Sequence, residues 1–135
     1  MTTTERIITI LFDKLYGSSI RTAISGSICK HRRDGDSTKE DIVINCLPVP
    51  NTQLQNVIAN VNIHVPDVAV TVNGMSQKQP NILRLQALSE QAIGILSDNW
   101  DSTLNYDVQQ ENIIEDREAG DHYVNIRIEF FIENL

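Results

Sequence analysis

The chain has 135 residues, 41% hydrophobic and 21% charged, and a formal net charge of −7. A length of that order buries about two-thirds of the surface the unfolded chain would expose, so this is the composition of a folded domain and not of a disordered segment. The acidic balance excludes binding nucleic acid through its phosphates, which needs a clustered positive surface, and no apolar run reaches the roughly eighteen residues of a membrane span.

Glu5, Arg6, Asp13 and Lys14 interrupt the opening MTTTERIITILFDKLYG, where an export signal would need an unbroken apolar stretch. Cys29 and Cys46 form no CxxC pair, and two cysteines are too few for a disulfide framework. They are expected as buried or half-buried thiols. Charge is polarised along the chain: residues 1–66 sum to +1 and residues 67–135 to −8.

The first element is a predicted helix from Thr4 to Tyr16, because Ile7, Ile8, Leu11, Phe12 and Leu15 recur on one face at helical spacing. Thr2 with Glu5 fits a capping box, and Gly17 suits the left-handed residue that closes a helix. A strand near Ile24–Arg32, a polar turn DGDST and a second strand near Asp41–Leu47 read as a β-hairpin with a charged tip.

After PVPNTQ comes the clearest alternation in the chain. Val57, Ala59, Val61, Ile63 and Val65 face one way, and Ile58, Asn60, Asn62 and His64 the other, until Pro66 ends the strand. DVAVTVNGMSQKQPN, with its Asn73-Gly74 turn signal, reads as a projecting arm or long loop.

A second helix is predicted from the Asn81 N-cap to about Leu96, burying Ile82, Leu85, Leu88, Ala92 and Ile95. Gly94 within it costs about 1 kcal/mol relative to Ala, which points to close packing there or an early helix end. Two last strands, near Leu104–Ile114 and Tyr123–Ile132, flank the acidic turn EDREAGD. The order of helix, three strands, helix, two strands gives an α+β fold. It is a two-layer single domain over residues 1–135, with a mostly antiparallel sheet of about five strands and two helices packed on one face.

Chemical motifs fail on inspection. Asp34, Asp36, Thr38 and Glu40 are spaced like the ligands of a calcium loop, but Lys39 replaces the glycine of the sharp turn and Asn45 the bidentate glutamate. His31, His64 and His122 stand apart, at no metal-ligand spacing and beside no nucleophile. GSSIRTAISG has neither the P-loop lysine nor the dinucleotide glycine spacing. The expectation is therefore no catalytic, metal or cofactor site.

What remains is assembly. Lys30, Arg32 and Arg33 make the one basic cluster, and the segment Asp98–Asp121 holds eight acidic residues opposed by Arg117 alone. Pairing these between two copies, with Glu115 and Asp116 near the basic hairpin, would be a head-to-tail contact. Val68, Val70, Val72 and Met75 on the arm would add its apolar area.

This order of elements, with HRRDGDSTKEDIVINCL and NVNIHVPD, resembles small prophage-encoded proteins of the tail-terminator or tail-completion type from long-tailed bacteriophages. The resemblance implies a homo-oligomeric ring, commonly of six subunits, that caps the tail tube and presents a surface for joining the head. It also implies other tail or connector proteins as partners, and a place in the virion after assembly in the bacterial cytoplasm. It transfers no residue-by-residue functional motif. A head-to-tail connector subunit and a monomeric cytosolic binding module are the alternatives.

Overall fold

The computed structural model of the protein describes residues 1–100 and 104–133. Helix α1, Thr4–Tyr16, forms where the apolar spacing predicts it and buries Ile7, Ile8, Leu11 and Leu15. Its cap is Thr3 and not Thr2: the Thr3 side chain accepts from the Arg6 N–H at 3.3 Å. Gly17 closes the helix at φ −83°, outside the left-handed region, by donating its N–H to Asp13.

The basic hairpin is absent. Ile20–Ala23 is a short helix, α2, and strand β1 shrinks to Ile28–Lys30. Strand β2, Ile42–Cys46, pairs with β1 in parallel, Ile28 opposite Ile42 and Lys30 opposite Ile44. Parallel neighbours need a crossover of about a dozen residues, and residues 31–41 supply it. His31, at φ 69°, turns the chain out of β1. Gly26 meets the far end of the crossover so closely that a Cβ there would overlap the Asp41 carboxylate and the Glu40 carbonyl.

The sheet order is β1-β2-β3-β7-β6. Strands β3, Leu54–Pro66, and β7, Asp121–Glu133, run antiparallel through thirteen register pairs at its centre. Strand β6, Asn105–Asp116, is one edge, with a bulge between Val108 and Gln110. The apolar side of β3 and Val124, Ile126, Ile128, Phe130 and Ile132 of β7 are buried beneath α1 and a third helix, α3, Ile82–Ser97, in one contiguous core.

Helix α3 buries Leu85, Leu88, Ser89, Ala92 and Leu96. Ile82 is half exposed because the first turn runs beyond the core, and Ile95 is only half-buried because it faces α1 and not the sheet. The helix passes through Gly94 unbroken, and among the described residues nothing packs against that position.

The opposite face of the sheet carries no helix among the described residues. Asparagine side chains cross it instead: Asn60 donates to Asn45 at 3.0 Å, and Asn125 donates to Asn60 at 3.1 Å and to Asn62 at 2.7 Å. Among the described residues no helix is long and apolar enough to cross a membrane.

Candidate assembly surfaces

The expected arm is a ribbon of two strands, β4, Val68–Val72, and β5, Met75–Gln79. They pair with each other and with no strand of the main sheet. Asn73 at φ 51° and Gly74 at φ 78° make a type I′ turn, which these two residue types favour because both central positions are left-handed. The register puts Val68, Val70, Val72 and Met75 on one face, with Gln77 and Gln79, and Ala69, Thr71, Ser76 and Lys78 on the other. Met75 is 68% exposed, Val68 and Val72 are exposed, and Val70 is half-buried. Among the described residues, five of the twelve exposed large hydrophobics, Val68, Val72, Met75, Ile82 and Leu83, lie on the ribbon or in the first turn of α3.

A groove of about 830 Å³ runs between α1 and α3. Ile10 and Ile95 give it apolar walls, and Arg6, Asp13, Lys14, Glu90 and Asp98 give it charge. Gly94 lies in it, and among the described residues nothing comes within 4 Å of where its Cβ would be.

The third feature is an ionic cluster at one end of the helix-free face. Arg33, in the crossover, donates to Asp41 at 3.0 Å, to Asp121 at 2.7 Å and to the Lys39 carbonyl at 2.7 Å. Asp41 also accepts from the Ser27 N–H and from the Ser37 hydroxyl. His64 Nδ1 lies 3.4 Å from the other Asp121 oxygen. The Arg33 side chain is 11% exposed and both aspartates 5%, so one desolvated guanidinium is shared by two desolvated carboxylates. Burial alone would push the Asp121 carboxyl up, but hydrogen bonds and charge from His64 and Arg33 outweigh it and hold the group below its ordinary value. Glu40 is likewise held low by its hydrogen bond from Arg84, against burial. Ligand atoms of His64, Asp116 and Asp121 lie within 4.8 Å of one another, and the Asp121 oxygen that His64 does not approach is bonded to the Arg33 guanidinium.

The expected basic docking cluster is therefore dismantled. Arg33 is buried in its own chain, and the acidic segment it was to meet in another copy supplies its partner, Asp121, within the same molecule. Lys30 donates to Thr9 at 2.9 Å and sits 5.2 Å from the centre of the Phe12 ring. Arg32 is exposed. Glu115 is exposed on β6 beside Arg117, and Asp116 is half-buried near His64. Asp101, also in the acidic segment, lies outside the described residues. Both cysteines are free and half-buried, and burial pushes the Cys46 thiol up to about 11.

Sequence reasoning missed the groove, because it arises from how two helices sit side by side. Gly94 was its one visible signal. No protein-family model matches the chain, and no curated protein matches it at a significant level.

Proposed function

We propose that this protein is a structural, non-catalytic virion-assembly subunit that joins copies of itself into a ring, terminating a bacteriophage tail tube and joining it to the head. The ribbon β4–β5 carries this reading. An isolated two-stranded ribbon is marginal in water, and this one exposes an apolar face beyond the main sheet, so a surface outside the chain is its natural support. Its partner in the proposal is a second copy, as the tail-terminator resemblance implies. Six copies would carry six times −7, or −42, and an acidic channel would let DNA pass without sticking.

Sedimentation velocity with negative-stain electron microscopy tests the reading. A ring of several subunits at micromolar protein, dispersed when Val72 and Met75 are both replaced by Asp, is the expected result. A wild-type protein that stays monomeric to millimolar concentration overturns it.

A further inference from the structure

We infer that the ribbon β4–β5 of one copy lies in the groove between α1 and α3 of the next, seated on Gly94. This rests on the assembly reading above and names the two surfaces that meet.

Gly94 is the first observation. A glycine inside an exposed helix costs stability relative to alanine, and a chain keeps one where a neighbour must come close. Among the described residues nothing does: the space beside Gly94 is open and faces the groove. A neighbour from outside the chain would fill it.

Dimensions are the second. A five-residue strand spans roughly 17 Å at about 3.4 Å per residue. The groove wall on α1 runs from Arg6 to Lys14, roughly 14 Å at about 1.5 Å per residue, and continues through Gly17 and Ser18 beyond the helix. A ribbon strand and the groove are of comparable length.

Chemistry is the third. The ribbon face pairs Val68, Val70, Val72 and Met75 with Gln77 and Gln79. Its apolar part meets Ile10 and Ile95 and its amides meet the charged part of the lining, Arg6, Asp13, Lys14, Glu90 and Asp98, while Lys78 on the other face stays toward solvent. No ribbon residue lines the groove of its own chain. The contact therefore joins two different surfaces, and repeated head-to-tail with a rotation that closes it builds a ring.

The experiment uses two full-length variants, Gly94→Leu, which fills the groove, and Met75→Asp, which spoils the ribbon. Gly94→Leu is expected to raise Tm by a few degrees, since the space is empty and leucine is the better helix former, while weakening assembly at least tenfold. Met75→Asp is expected to stay monomeric. Mixed, the two should form a one-to-one heterodimer, because the intact ribbon of the first fits the intact groove of the second and no other working pair remains. A mixture that stays monomeric, or a Gly94→Leu protein that assembles like the wild type, overturns this contact while leaving ring formation standing. A wild type that never assembles overturns both.

Discussion

Arg33 and Asp121 stand 88 residues apart in sequence and are joined by a 2.7 Å charge-assisted hydrogen bond that fastens the crossover to the start of β7. The same guanidinium holds Asp41, at the start of β2, so one side chain ties together three segments. Removing it leaves two buried carboxylates without the guanidinium that both share.

Arg33→Ala is therefore expected to cost about 3 to 5 kcal/mol in urea unfolding, the usual loss when one partner of a buried ion pair is deleted. Arg32→Ala, next to it but exposed, should change stability by no more than about 0.5 kcal/mol. Equal effects at the two positions would show that the cluster does not hold the crossover.

Acid should destabilise the fold through the same residues. Asp121 and Glu40 have folded pKa values below their ordinary ones, so the stability they contribute is fully present above the ordinary carboxyl range, about pH 4 to 4.5. It is lost as pH falls through the folded values. Asp121→Asn should lower stability at pH 7 and flatten its decline below pH 4.5. An unchanged acid limb in chemical unfolding would remove Asp121 from this role.

Metal ions and nucleotides should leave the protein unmoved. The calcium-loop spacing is broken at Lys39 and Asn45, and in the grouping of His64, Asp116 and Asp121 one Asp121 oxygen is already bonded to Arg33. Thermal scans with calcium, magnesium, zinc or ATP at micromolar levels should overlay the ligand-free trace. A reproducible rise of several degrees with any one of them would reveal a site, because a ligand that binds only the folded state stabilises it by mass action.

Periodicity made most of the fold legible. Helix α1, the apolar sides of β3 and β7, and the Asn81 cap of α3 all follow from local spacing that the core then confirms. The direction of β1 relative to β2 was not legible, because alternation marks a strand without saying which way its neighbour runs. Arg33 looked like solvated charge beside Lys30 and Arg32, and only its distant partner Asp121 takes it out of solvent. Of the candidate site, Asn73-Gly74 announced the ribbon turn, and Gly94 stood out as a helix defect. What that defect serves depends on α1 lying alongside, which no local spacing encodes.

The central place of β7 has a consequence for how the chain is made. Register partners of β3 on β7 lie between 55 residues away, Pro66 with Asp121, and 79 residues away, Leu54 with Glu133. During synthesis β3 emerges with β2 on one side and an open ladder of backbone donors and acceptors on the other, until translation reaches the last strand. Such long-range pairing closes slowly, and an open apolar edge is what chaperones bind and what aggregates when they do not. The arrival of β7 is thus the step that closes the open side of β3 and completes the centre of the sheet.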